Sequence, residues 1–424
     1  LETLFLAVVL FILLAMGVHI AIALGISSAL YLILFTDFSL SLIIPTFFKS
    51  INSITLMAIP MFILSGIAME RLGIMEKLFY FADSITRWLP GGTGVATMIS
   101  CMFFAAISGS SVAGAAAMGV IAIPNMKKRG YDDSFASGIV SIGGTLAILI
   151  PPSISMIIYG VATEMSIPKL FMAGMIPGII LGLLLCSNIV VLSWGKIPKG
   201  TMKWSEVQIA FKGALGGMLM PGIVLGGIYG GIFTPTEAAA IASTYAIIYG
   251  LILKKSECIK ILPSVASETL KMTAMIFLIL GGAFTFAMVL TIEKIPHKLT
   301  QIIIDLELSR TTFLIALNIL YLILGCFLDV ISCILLTIPI IFPIVLKLGI
   351  DPLHFAVLLT VNMEIACITP PVGFNLYVVS GIAKIPIESV ARGTLPFYMT
   401  MIGFLILVTW FPDLSTWLVG IIYR

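Results

Sequence analysis

A chain of 424 residues that is 60% hydrophobic and only 10% charged, with mean hydropathy +1.18, is not a soluble globular protein, since such proteins carry about 25% charged residues. Its net charge of +3 gives no reason to expect a nucleic-acid partner, because the basic residues fall in short loops between apolar runs. Six scattered cysteines without CxxC or Cys/His spacing indicate neither a disulfide framework nor a metal centre.

The apolar runs recur at bilayer-spanning length along the whole chain, so the fold class is all-α and polytopic, in contact with lipid throughout. In chain order, spans are expected at residues 4–16, 18–35, 56–69, 170–194, 214–230, 238–253, 265–290 and 390–410. The first begins behind Glu2 with no basic stretch and no small-residue cleavage site, which reads as a span rather than a signal peptide. The first residue is Leu1 rather than Met, which leaves processing or an altered start open. Residues 70–88, 204–212 and 292–307 are short and amphipathic; interfacial helices, with Trp88 and Trp204 as anchors, and plain connecting loops fit them equally.

Four segments depart from simple spans. Residues 94–126 and 311–346 are long enough to cross, yet small or polar residues fill their centres (Ser108-Gly-Ser-Ser111 and Gly325–Asp329). A helix-turn-helix that enters halfway and returns fits both better. Residues 134–164 and 353–384 are interrupted by Pro151-Pro152 and Pro370-Pro371, which remove backbone donors and force the preceding residue out of the helical region. In lipid such a break is tolerated only where protein or a water-filled cavity satisfies the freed groups. Charge supports this layout. Lys127-Lys128-Arg129, Lys196/Lys199/Lys203 and Lys254/Lys255/Lys260 fall on one, cytoplasmic, side only if 94–126 is re-entrant and 134–164 crosses once. Both termini then lie on the far side, with ten spans and two hairpins.

The chain also matches itself at one offset. Pro151-Pro152 and Pro370-Pro371 are 219 apart (370 − 151 = 219), and the same offset pairs Pro124 with Pro343, Gly130 with Gly349 and Asp132 with Asp351. The expected organisation is therefore an inverted-topology repeat. Residues 1–213 carry hairpin 94–126 and broken helix 134–164; residues 214–424 carry hairpin 311–346 and broken helix 353–384. Inverted repeats with interrupted helices are the sequence pointer to a secondary transporter, with its site near the midplane.

Chemistry at the breaks follows. Ser108, Ser110 and Ser111 with the carbonyls around Gly143-Gly144-Thr145 can form one oxygen cage for a sodium ion; Gly325, Asp329 and Ser332 with residues 364–369 can form another. Asp329 lies opposite Ser110 in the repeat (329 − 219 = 110), and an ionisable residue at membrane depth is a functional candidate. For the serines, close helix packing by small residues is the competing reading. Helix N-termini after Pro152 and Pro371 direct positive dipole ends into the cavity, which suits an anionic substrate. Ser153, Ser155, Asn362 and Asn375 can orient that anion or serve only packing and capping. Between the halves, Thr234, Thr236 and Glu237 can cap the helix that follows, or line a substrate path.

Five motifs in register, IPMFILSG (59–66), ISGSSVAG (107–114), GGTLAILIPPS (143–153), GIFTPTEAAA (231–240) and EIACITPPVGFNLYV (364–378), resemble the large permease subunit of tripartite ATP-independent periplasmic (TRAP) transporters, of the DctM type. The resemblance covers essentially the whole chain. It implies an elevator-type symporter in the bacterial inner membrane, driven by sodium as coupling ion at two or more sites and importing organic acids such as C4-dicarboxylates or sialic acid. It further implies two partners, a small (Q-type) membrane subunit and a periplasmic binding protein that delivers substrate. Sodium ligation would fall on Ser108, Ser110, Ser111, Gly144, Thr145, Gly325, Asp329 and Thr369, whereas the substrate candidates, Ser153, Ser155, Asn362, Pro371 and Asn375, rest on their place beside the two breaks. The broken-helix motifs are also similar to those of divalent-anion/sodium symporters, so a stand-alone carrier of that kind is the alternative. An enzyme is not expected: there is no GxSG, no HExxH and no paired intramembrane aspartate. A channel predicts pore-lining rings rather than two inverted units.

Overall fold

The computed structural model describes residues 2–423, so the question of the start at Leu1 lies outside it. The chain opens with α1 (Glu2–Ala15), α2 (Ile20–Phe35), α3 (Ile43–Ile51), α4 (Ala58–Arg71) and α5 (Ile74–Thr86). Helices α6 (Gly92–Ser108) and α7 (Ser111–Lys128) form a hairpin, and α8 (Asp133–Thr145) and α9 (Ile154–Thr163) flank the first Pro-Pro pair. The middle comprises α10 (Ile167–Ser193), α11 (Trp204–Tyr229), α12 (Pro235–Lys254), α13 (Ser256–Ile292) and α14 (Ile295–Asp305). A second hairpin, α15 (Arg310–Gly325) with α16 (Val330–Lys347), precedes α17 (Pro352–Ala366) and α18 (Phe374–Ala383), which flank the second Pro-Pro pair. The chain ends with α19 (Ile387–Trp410) and α20 (Asp413–Ile422). No strand occurs among the described residues. Seven of their helices are long and apolar enough to cross a membrane, as a multi-pass membrane protein requires.

Local chemistry explains the boundaries. Gly109 turns the first hairpin with φ 61°, and Ser110 caps α7 by accepting from Ala113 N at 3.4 Å. Asp329 caps α16, and Asp132 and Asp351 cap α8 and α17 in the same way. At an offset of 219, α7 coincides with α16 at both ends (111 + 219 = 330; 128 + 219 = 347). Both Pro-Pro bonds are cis. Thr234 and Glu237 form a capping box at the start of α12, with the Thr234 N–H donating to Glu237 Oε2 at 2.8 Å.

Four elements differ from the sequence reading. Residues 204–212 do not form a separate interfacial helix; α11 runs through them into the span, because only Gly213 lies at the junction and a single glycine does not stop a helix. Helix α3 and helix α20 fall in stretches too short for a span and were not expected. Helix α13 takes Pro263 inside it and starts nine residues before the expected span (265 − 256 = 9).

The helices sort into two packed groups. Helices α2, α3, α4, α12 and α13 pack on one another, while α6–α10 and α15–α20 enclose both breaks; α5 packs on both α6 and α11, and α14 on both α13 and α16. The two hairpin regions interlock: α18 packs on α7 and α8, and α9 packs on α16, where Tyr159 meets Phe342 edge-on at 6.3 Å. At one end α5 is clasped by charge. Asp83 accepts from Arg87 and from Arg129 at the end of α7, both at 3.0 Å, and Arg87 also reaches Glu206 on α11 at 2.7 Å.

The tightest crossing is α8 on α19. A Cβ added to Gly138 would lie 2.9 Å from Gly393 Cα and closer still to its carbonyl. Gly138→Ala is therefore expected to destabilise the protein by about 1–3 kcal/mol, read as a lower thermal unfolding midpoint in detergent. An unchanged midpoint would show that the crossing yields freely.

Candidate functional site

The first tip and the first break are one unit. Helix α8 ends at Thr145, a single tight turn covers residues 146–148, and Ser153 then caps α9 by accepting from Met156 N at 3.3 Å. The Ser153 hydroxyl donates back to the Ile148 carbonyl, closing the break on itself. Ile154 N donates to Gly109 O at 3.4 Å, which ties break to tip. Gly144 lies where a Cβ would stand 3.0 Å from Ser111 O, so α7 and α8 meet backbone to backbone. Ser108, Ser110, Ser111, Gly144 and Thr145 are thus brought together, with Ser153 beside Gly109 of the tip; Ser155 is buried in the first turn of α9. The Thr145 hydroxyl donates to Ile142 O at 2.8 Å, leaving its lone pairs as acceptors.

The second unit repeats the plan with different chemistry. Gly325 ends α15 against Ala366 and Met363 of α17. Asp329 accepts from Ile331 N at 3.1 Å, Ser332 N at 3.3 Å and the Ser332 hydroxyl. Val372 N donates to Cys326 O at 3.2 Å, again tying break to tip. Thr369 donates to Ile365 O at 2.7 Å. Pro370 and Pro371 are exposed, whereas Pro151 and Pro152 are buried, so only the second break opens to the outside of the chain.

Asn375 joins the units. Its amide donates to Ser111 Oγ at 2.8 Å and to Ser141 O at 2.9 Å, and it accepts from Ser111 at 3.0 Å. Asn375 is fully buried, and these bonds commit it to α7 and α8. Asn375→Ala is expected to cost about 1–3 kcal/mol, because Ser111 and the Ser141 carbonyl lose a buried partner. The double variant with Ser111→Ala should cost little more than Asn375→Ala, which has already removed both bonds between the two residues. Additive losses of thermal stability would show that this contact does not join the units.

Asn362 is not brought to the break. Its amide donates to Asn318 Oδ1 at 2.9 Å and Leu358 O at 2.8 Å, and Asn318 donates to Thr409 at 2.9 Å, a polar chain between α17, α15 and α19. Two further residues emerge, and a third, Glu364, lies within the 364–369 stretch already proposed for the second cage. Ser141 contributes only a carbonyl, and nothing in its local sequence marks it. Tyr398, in an ordinary apolar span, reaches Ile368 O and Thr369. Glu364, matched with Thr145 in the repeat (364 − 219 = 145), is fully buried on α17; an acidic residue at membrane depth was its signal.

Electrostatically the units present two kinds of helix end. Helices α7, α9, α16 and α18 begin there and bring positive dipole ends to the breaks; part of the first-turn N–H groups of α7, α9 and α16 is taken by Ser110, Ser153 and Asp329, while α18 follows Gly373 with no side-chain cap. Helices α6, α8, α15 and α17 end there and supply free carbonyls. Among the described residues no group of three His, Cys, Asp or Glu occurs, so the donors for a cation are carbonyls, hydroxyls and Asp329, a set that suits a hard ion.

Comparisons with known proteins agree with this arrangement. The solved structure of the Alcanivorax borkumensis YdaH transporter superposes with TM-score 0.62 at 14% identity, covering 87% of this chain and 86% of that one, a likeness of fold. The C4-dicarboxylate TRAP transporter large permease protein DctM of Pseudomonas aeruginosa is 43% identical over 93% of this chain and 92% of its own. The isethionate TRAP transporter permease protein DctMQ of Oleidesulfovibrio alaskensis is 38% identical over 96% of this chain and 65% of its own. These relatives are transporter permeases rather than enzymes. Because the family model for the DctM component of tripartite ATP-independent periplasmic transporters also matches residues 7–414, the chain belongs to that family of large permease subunits.

Proposed function

We propose that this chain carries a C4-dicarboxylate across a bacterial inner membrane by sodium symport, as the transport subunit of a tripartite system. The observation that carries the reading is the pairing of four inward helix N-termini with four inward C-termini at two interrupted units. N-terminal N–H groups suit carboxylates, and C-terminal carbonyls with hydroxyls suit sodium. The choice of dicarboxylate leans on the name of the relative that is 43% identical.

In this reading residues 1–213 and 214–424 are two repeats of opposite orientation, and both hairpins are re-entrant. Sodium binds at the two tip-and-break units, through Ser108, Ser110, Ser111, Gly144 and Thr145 in the first and Gly325, Asp329 and Thr369 in the second. Substrate lies against the N-termini after Pro152 and Pro371, near Ser153 and Ser155. The group enclosing the breaks moves as an elevator past the group formed by α2–α4, α12 and α13, with α5 and α14 as the linking arms. A separate small membrane subunit and a periplasmic binding protein complete the system.

The test is uptake of radiolabelled succinate into proteoliposomes containing the chain, its small subunit and a dicarboxylate-loaded binding protein. Uptake should require an inward sodium gradient and the binding protein. Equal uptake in potassium medium sinks the coupling; equal uptake without the binding protein favours a stand-alone carrier.

A further inference from the structure

Tyr398 enters the second break from outside it. Its hydroxyl lies 2.5 Å from Ile368 O and 3.1 Å from Thr369 Oγ1. Thr369 donates its own proton to Ile365 O, so its oxygen can only accept, and the single Tyr398 proton, aimed mainly at the nearer Ile368 O, is shared with it. The tyrosine stands on a rigid base: the adjacent Phe397 is fully buried and stacks on Phe135 of α8 at 6.0 Å and 13°.

Among the described residues the first break has no such tether. The position matched to Tyr398 is Ile179 (398 − 219 = 179), a partly exposed apolar residue on α10. That break is closed by its own Ser153 and is buried at both prolines. The second break has exposed prolines and no side-chain cap on α18; its own backbone holds the Cys367 and Gly373 carbonyls, through Asn375 N at 3.1 Å and Leu376 N at 2.7 Å, while the Ile368 carbonyl is held from outside by Tyr398.

We propose that Tyr398 is a positioning residue for the cation at the second break, presetting the Ile368 carbonyl and the Thr369 hydroxyl and thereby raising sodium affinity. This rests on the transport reading above. The physical basis is that oxygens in an irregular segment must be ordered when an ion binds, and a tether that orders them beforehand removes that cost from the binding step. By holding Ile368 O, Tyr398 also selects which carbonyls of residues 367–373 stay free for the ion.

Tyr398→Phe removes the hydroxyl and keeps the ring. Reconstituted with its partner proteins and assayed at saturating succinate, the variant should need about three- to tenfold more sodium for half-maximal uptake, the effect of one ordinary hydrogen bond. Its maximal rate at saturating sodium should stay within about twofold, and its succinate KM there should be unchanged, because the tether acts on the ion site. In parallel, the sodium-dependent rise in thermal unfolding midpoint of the detergent-purified chain should move to higher sodium by the same factor, a readout that does not require transport. A lowered maximal rate with an unshifted sodium curve means a merely structural role and overturns the proposal. A parent protein indifferent to sodium overturns the transport reading itself. A sodium-dependent parent with a superimposable variant overturns only the role of Tyr398.

Discussion

Asp329→Asn is expected to raise the sodium concentration for half-maximal uptake about tenfold while leaving membrane insertion and helix content unchanged. The asymmetry comes from the two roles of the carboxylate. As an N-cap, Asp329 accepts from Ile331 N and Ser332 N at 3.1 and 3.3 Å, and asparagine serves that position as well as aspartate does. As a charge it has no substitute, because the matched residue in the first unit is Ser110. A carboxylate offers about four lone-pair sites, and the cap and the Ser332 hydroxyl occupy three of them. One site is left over for a cation, on a carboxylate that has no acidic counterpart at the tip residues 108–111. Losing one charge-assisted contact is worth roughly 1.5–3 kcal/mol, or about tenfold and upward in affinity. Asp329→Ala loses the cap as well and should also lower the thermal midpoint, so comparing the two variants separates the roles. Sodium activation curves that coincide for parent and Asp329→Asn would remove Asp329 from the ion site.

How much of this could be read beforehand depended on whether the determinant was local. Helix starts at Asp132, Asp351, Ser110 and Asp329 are written in single side chains that bond their own backbone two or three residues on, so the offset of 219 located them closely. Proline pairs and small-residue tips are equally local. Direction was not. Asn362 and Asn375 are both polar residues near the second Pro-Pro pair, yet one turns to Asn318 and the other to Ser111. That difference is set by which helix lies across from each residue. Tyr398 was invisible for the same reason: an aromatic in an apolar span carries no mark of the carbonyl it meets. The continuity of α11 was missed because an amphipathic start followed by an apolar run reads as two elements, although no breaker separates them.

Gly66→Leu is expected to abolish most uptake, by tenfold or more, and the reason lies in what the IPMFILSG motif faces. Gly66 is on α4, in the group proposed to stay still, and a Cβ there would stand 2.7 Å from Ser108 Cβ and 3.0 Å from Ser108 Cα. Ser65 next to it approaches Ile107 O at 3.5 Å, so this stretch of α4 bears directly on the first hairpin tip. Contact this close leaves no room for a side chain, and backbone on the far side cannot rotate away as a flexible side chain could. In an elevator the tip must pass this point, so a leucine acts twice: it strains the state seen here and obstructs the passage. Gly66→Ala separates these effects. It should cost about 1–3 kcal/mol of stability by overpacking, and Ser108→Gly in the same chain should restore much of it by removing the Cβ that is struck. Thermal midpoints of the single and double variants measure that relief, and uptake by Gly66→Leu measures the obstruction. Parent-like uptake by Gly66→Leu would mean that the tip never slides past α4, and the moving boundary would then have to be drawn elsewhere in the bundle.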